Sequence, residues 1–159
     1  MQFKEIIGQE NLKKHLIQTV VENRVSHAQL FLSPEGSGAL LLAIAYAQYI
    51  NCQNKTNTDS CGECSSCRKY ERFIHPDLHF SYPFFASKDA KIAVDVLDEW
   101  RSLLLEDPYF DLDIWRSKLN AENKQANIPI AECHDIIKKL NGTVKVSSEK
   151  DKGTTFEIS

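Results

Sequence analysis

Positive charge is the first thing this sequence lacks. Its 19 lysines and arginines are outnumbered by 22 aspartates and glutamates, giving a formal net charge of −3. Proteins that grip DNA unaided usually carry a basic excess, because phosphate neutralisation supplies much of the affinity. Contact with DNA is therefore expected only indirectly, through partner proteins or a local patch. Long apolar runs are missing too. The longest uninterrupted one, Ala39 to Ala47, is too short to span a bilayer. No secretory signal is visible, since the polar start Met1-Gln2-Phe3-Lys4-Glu5 leads directly into helical periodicity. These absences point to the cytoplasm and away from a membrane. There is no internal repeat and no nucleophile–base–acid arrangement. What remains is ordinary for one globular domain with a hydrophobic core: 159 residues, 42% hydrophobic and 26% charged.

The periodicity predicts a chain of short elements. Residues 10–23 place Leu12, Leu16, Ile17, Val20 and Val21 on one helical face, with Lys13, Lys14 and Gln18 opposite. Ala28 to Leu32 reads as a buried strand, followed by the tight turn Glu35-Gly36-Ser37-Gly38. Ala39 to Ile50 is rich in alanine and leucine and reads as a helix. A short helix is expected over Ser65 to Phe73. An aromatic strand over Leu78 to Phe85 follows, with Pro83 interrupting it or marking an edge. Helices are expected over 92–106, 111–121 and roughly Ala131 to Leu140. A hairpin over Thr143 to Ile158 ends the chain, with its turn at Glu149 to Gly153.

Cysteines are few but clustered. Cys52, Cys61, Cys64 and Cys67 have the spacing C-x8-C-x2-C-x2-C. Four thiolates on one short loop can close a tetrahedral zinc shell. Two-residue gaps make disulfides between neighbours geometrically difficult, and a reducing cytosol disfavours them. With four sulfur ligands no open position remains for a catalytic water, so the zinc would be structural. An iron–sulfur cluster is the rival reading, although Arg68 and Lys69, not a proline, follow Cys67. Four unrelated free thiols are the plainest alternative. Cys133 falls in a predicted helix and reads as an ordinary residue.

The glycine turn has the strand–loop–helix setting of a phosphate-binding loop. Aligned on that motif, Ser33 stands at the first glycine, Gly38 at the second, Ala39 at the lysine and Leu40 at the Ser/Thr. Pro34, Gly36 and Gly38 keep the shape of the turn, with Glu35 and Ser37 between them. Ala39 cannot neutralise phosphate, and Leu40 cannot ligate Mg²⁺. ATP is therefore not an expected ligand, and a plain glycine turn is the simplest reading of the loop taken alone.

Three features stand in order: Phe3-Lys4-Glu5-Ile6-Ile7-Gly8-Gln9, then His27-Ala28-Gln29-Leu30-Phe31-Leu32 running into the degenerate loop, then the four cysteines. This order resembles the N-terminal AAA+ module of bacterial DNA polymerase III clamp-loader subunits, and His75-Pro76-Asp77 also fits that pattern. The missing lysine resembles the delta-prime type rather than the ATP-hydrolysing gamma/tau type. The resemblance implies an α/β fold: a partial AAA+, P-loop-like three-layer domain with a parallel sheet, an inserted zinc module and a C-terminal hairpin. It implies an AAA+-like module over residues 1–140, a zinc insertion over 51–68, a helical insertion over 92–121 and a tail of uncertain origin over 141–159. It places Ile6, Ile7, Gly8 and Gln9 beside the adenine side of a nucleotide pocket. It implies a non-catalytic stator, associated with the polymerase holoenzyme, that binds the gamma/tau and delta subunits and the sliding clamp. The family's Walker B strand, sensors and arginine finger would follow residue 140. The chain does not contain them, so it is expected to be an N-terminal fragment.

The tail, Leu140-Asn141-Gly142-Thr143 through Lys152-Gly153-Thr154-Thr155-Phe156, is similar to the end of a histidine-kinase ATP-binding domain, with Asp151 at the first glycine of its box. It motivates the alternative of a nucleotide-binding enzyme, an ATPase or kinase remnant. His75 and His79 have i, i+4 spacing across Pro76, which rules out one helical face and favours structural roles. Trp100 and Trp115 read as core, and the acidic residues from Asp95 to Asp113 as a solvated face.

Overall fold

The computed structural model describes residues 1–34, 36–139, and the strand backbones of 144–149 and 153–158. Six α-helices lie among them: α1 (Glu10–Val21), α2 (Ala39–Asn51), α3 (Ser65–Glu71), α4 (Leu97–Glu106), α5 (Leu112–Lys118) and α6 (Ile130–Lys139). All six fall where periodicity predicts helix. A 3-10 turn, Ala93–Val96, takes the start of the helix expected from residue 92.

The expected three-layer domain with a parallel sheet is not what the chain forms. Among the described residues the sheet is a two-stranded antiparallel pair, β1 (Val144–Glu149) and β2 (Gly153–Ile158), with Val146 opposite Phe156. Ala28 to Leu32 is not a strand, and Leu30 and Leu32 are 81% and 84% exposed. Leu78 to Phe85 contributes a single bridge, Phe84 to Asn127. A strand needs a neighbour to take its N–H and C=O groups, and burial of a run of apolar residues does not supply one. At the second segment Pro83 also removes a backbone donor.

The chain divides into two compact units, Met1–His79 with Trp100–Trp115, and Phe80–Glu99 with the chain from Arg116 on. In the first, α2 is the central element. Leu41, Leu42, Ala45, Tyr46 and Tyr49 are buried with Phe3, Ile6 and Leu16. Each leucine, isoleucine or phenylalanine among them contributes roughly 1.5–3 kcal/mol on burial. Lys13, expected on the polar face of α1, is 6% exposed. Its ammonium donates to the Ile6 carbonyl at 2.7 Å and pairs with Glu10 at 2.8 Å, which makes the burial tolerable. Leu12 and Val21, expected inside, are exposed. Trp100 packs edge-on against Phe110 and Trp115 at 5.0 and 5.2 Å.

In the second unit, the buried Glu132 carboxylate of α6 accepts the Ala93 N–H at 2.7 Å, and the Tyr82 hydroxyl donates to the Ala93 carbonyl at 2.8 Å. The Lys91 and Ile92 backbone N–H groups hold the Asp95 carboxyl below its ordinary value. No helix among the described residues is long and apolar enough to cross a membrane.

Candidate metal centre

The four clustered cysteines come from the ends of two helices and the loop between them. Cys52 is the C-cap of α2. Cys64 is the N-cap of α3, and Cys67 lies in that helix's first turn. Cys61 lies in the loop, ahead of Gly62, whose φ of 76° reverses the chain. Their sulfur atoms all lie within 4.8 Å of one another. Cys52 and Cys61 Sγ are 3.5 Å apart, and Cys61 and Cys67 Sγ are 3.9 Å apart.

A disulfide would bring two sulfurs to about 2.05 Å. Two ligands of a tetrahedral zinc, each about 2.3 Å from the ion, stand about 3.8 Å apart. The observed separations bracket that spacing, and all five cysteines in the chain are free thiols. Backbone N–H groups donate to the sulfurs: Cys61 to Cys52 at 3.3 Å, Cys64 to Cys61 at 3.4 Å and Cys67 to Cys64 at 3.4 Å. Such donors favour thiolate, the ligating form. The donor set therefore fits a metal ion of the zinc class.

The thiols are unequal. The Cys64 and Glu63 backbone groups draw the Cys61 thiol down. At Cys64 burial pulls upward, but the Cys67 and Gln53 backbone groups and the adjoining thiols outweigh it, leaving the thiol at about 6. Burial pushes Cys52 up. Burial and the Cys64 thiol push Cys67 up to about 12.

The loop carrying the cysteines is tied to the N-terminus by residues that the spacing did not flag. The Asp59 carboxylate accepts the Phe3, Lys4 and Ser60 N–H groups at 3.1, 3.0 and 2.7 Å. Gln48, buried on α2, donates to the Ser60 hydroxyl at 2.9 Å and accepts from the Met1 ammonium at 3.1 Å. Gln2 donates to the Ser60 carbonyl. The only sequence signal is the turn-forming run Thr56-Asn57-Thr58-Asp59-Ser60. Beyond the cysteines, His75 accepts the Asp77 N–H at 3.2 Å, meets the Ser66 hydroxyl at 3.1 Å and stacks on Tyr70. His79 is exposed and lies outside the cluster.

The glycine turn sits at the opposite end of α2. Ser37 closes it through its N–H to the Pro34 carbonyl at 3.3 Å, and its hydroxyl reaches the same oxygen at 2.7 Å. Ser33 donates to that oxygen as well. Gly36 and Gly38 have φ of 70° and 83°. Glu35 lies outside the described residues. Ala39 and Leu40 begin α2. Of the Ile6-Ile7-Gly8-Gln9 segment, the Gln9 side chain donates to the Ser37 carbonyl at 3.0 Å. Ile6 is buried, Ile7 is exposed, and Gly8 carries φ of 70°. The ring of Tyr109, which the sequence did not flag, lies against Gly38. Of the tail's kinase-like residues, Leu140 to Thr143 and Asp151-Lys152 lie outside the described residues.

Helices joined by a four-cysteine cluster, with a glycine turn at the far end of the shared helix, form a small module whose thiols could hold a metal ion. A family model described as DNA polymerase III, delta subunit, matches residues 8–112. The chain belongs to that family. It is 33% identical over 66 residues to DNA polymerase III subunit tau of Bacillus subtilis, covering 42% of this chain and 12% of the relative. It is 33% identical over 76 residues to subunit tau/gamma of Haemophilus influenzae, covering 48% and 11%. It is 33% identical over 69 residues to protein STICHEL-like 2 of Arabidopsis thaliana, covering 43% and 8%. The chain thus spans about a tenth of the length of the curated relatives it matches. No solved structure matches it.

Proposed function

We propose that the chain is a non-catalytic module of a DNA polymerase III clamp loader, of delta-prime type, whose four cysteines hold a structural zinc ion. The observation that carries this reading is the convergence of Cys52, Cys61, Cys64 and Cys67 at one end of a helix whose other end bears a glycine turn. That turn has Ala39 and Leu40 where phosphate chemistry needs lysine and a hydroxyl. Zinc would supply cross-linking and no reaction step, since four sulfur ligands leave no place for water. The residues around it position the thiols: Asp59 and Gln48 fix the loop, and the backbone N–H groups hold the sulfurs.

Membership in the polymerase family supports a place in replication, in the cytoplasm, beside gamma/tau and delta subunits and the sliding clamp. The net charge of −3 favours contact with those proteins over direct contact with DNA. On this reading residues 51–68 are the zinc insertion, and the 33–40 turn is a relic that binds no ATP.

The test is to purify the chain without added metal, measure its metal content and visible absorption, and then mix it with the gamma/tau subunit of the same organism. One zinc per chain, no colour and co-elution with the subunit are expected. Iron with a visible band would sink the zinc assignment, and a zinc-loaded chain that ignores gamma/tau would sink the clamp-loader role.

A further inference from the structure

The imidazole of His75 is buried, 9% exposed, and lies against the helix that carries two of the four clustered cysteines. Cys64 caps α3, Cys67 lies in its first turn, and Ser66, itself buried, stands between them. His75 reaches that turn from the other end of the helix because the chain doubles back. Phe73 follows α3 with φ of 54°, a left-handed conformation that a bulky side chain rarely adopts. The reversal is held at three points. The Phe73 N–H donates to the Tyr70 carbonyl at 3.0 Å, the Ile74 N–H to the Lys69 carbonyl at 2.9 Å, and the Phe73 carbonyl accepts from Arg101 Nε at 2.9 Å. The His75 ring is thereby laid on the Tyr70 ring, centroids 4.5 Å apart, with its Nε2 3.1 Å from the Ser66 hydroxyl oxygen.

The hydrogen bonds fix which nitrogen carries the proton. The Asp77 N–H donates to Nδ1 at 3.2 Å, so Nδ1 is an acceptor. The Asp77 carboxylate, 3.9 Å from Nδ1, is too far for a hydrogen bond. In the neutral ring the proton is then on Nε2, which donates to Ser66 Oγ. Both nitrogens are engaged, and neither is left to bind an ion. We propose, on the zinc reading above, that His75 is a positioning residue for the metal centre: its Nε2–H fixes Ser66, and through Ser66 the turn that presents Cys64 and Cys67. Groups that orient a metal's ligands typically carry about tenfold to a hundredfold of its affinity.

The experiment is a competition of the zinc-loaded chain against a chromophoric chelator, comparing wild type with His75→Ala, His75→Gln, His75→Asn and Ser66→Ala. A glutamine amide N–H can take the place of Nε2–H, whereas asparagine reproduces only the Nδ1 side. Retention about tenfold to a hundredfold weaker is expected for His75→Ala, His75→Asn and Ser66→Ala, with His75→Gln near wild type. Adding Ser66→Ala to His75→Ala should cost nothing further, since the two act through one hydrogen bond. Wild-type retention in both His75→Ala and Ser66→Ala overturns the proposal and leaves the zinc site standing. So does a glutamine variant as weak as the alanine one, which would make His75 a packing group on Tyr70, and so do losses that add. Ser66→Ala removes one hydroxyl and keeps the ring, so it decides the matter if His75→Ala does not fold. A wild-type chain that takes up no zinc would instead overturn the metal reading itself, and the role of His75 with it.

Discussion

The ring of Tyr109 lies so close to Gly38 that a methyl group at residue 38 would stand 2.9 Å from Tyr109 Cε1. Gly38 also carries φ of 83°, which side chains other than glycine's adopt with strain. Gly38→Ala should therefore destabilise the chain by about 1–3 kcal/mol. Urea unfolding checks this, and a double-mutant cycle with Tyr109→Ala separates the two causes. The crowding component should vanish in the Tyr109→Ala background, while the backbone component persists. Equal losses in both backgrounds would show that the ring does not crowd the turn.

The same ring bears on nucleotide binding. Tyr109 lies against Gly38, the cap of α2, and residues 39 and 40 offer neither a cation nor a hydroxyl to a phosphate. Isothermal titration with millimolar MgATP should give no saturable heat. A saturable signal would revive the nucleotide-enzyme alternative.

Metal removal should loosen the first unit. Treating the zinc-loaded chain with a chelator, or substituting Cys64→Ser, should lower unfolding free energy by more than about 3 kcal/mol, because binding free energy in such sites is folding free energy. Thermal melts with and without chelator measure it. An unchanged melting temperature would mean that the thiols are bystanders.

Unequal thiols predict an order of modification. In the metal-free chain at pH 7, Cys64, at about 6, is largely thiolate, and Cys67, at about 12, keeps its proton. Thiolate is the nucleophile. Among the clustered cysteines, Cys64 should thus be alkylated first by iodoacetamide and Cys67 last, as peptide mass spectrometry would show. Zinc should suppress all four. As pH falls through the Cys64 value, its lead should disappear.

Asp59 joins the cysteine loop to the N-terminus through three backbone donors. Asp59→Ala leaves those donors unmet and should cost about 1–3 kcal/mol. It should also weaken zinc retention in a chelator competition, and retention equal to the wild type would show that the loop holds its shape without this anchor.

The helices, the clustering of the four cysteines and the C-terminal strand pair were legible in the sequence, and the absence of a parallel sheet among the described residues was not. Ala39 to Asn51 announces itself by composition, and the four cysteines by spacing, because both signals are local. Ala28 to Leu32 looked equally plain, but a strand is completed by a neighbour, and no local pattern says whether one is there. Lys13 was misplaced for a related reason. Its burial depends on the Ile6 carbonyl and Glu10 being within reach, which hydrophobic periodicity does not register. Tyr109 escaped notice because its partner, Gly38, lies some seventy residues away in the chain.

Helix α2, with Cys52 at its last cap and Gly38 at its first, has 13 residues and a length of about 20 Å. Its ends differ in kind: one carries a thiol of the four-cysteine cluster, the other turns on a glycine against an aromatic ring. Between them Leu41, Leu42, Ala45, Tyr46 and Tyr49 hold the rod in one core along its length, so the cysteine end and the glycine end share a single rigid mount.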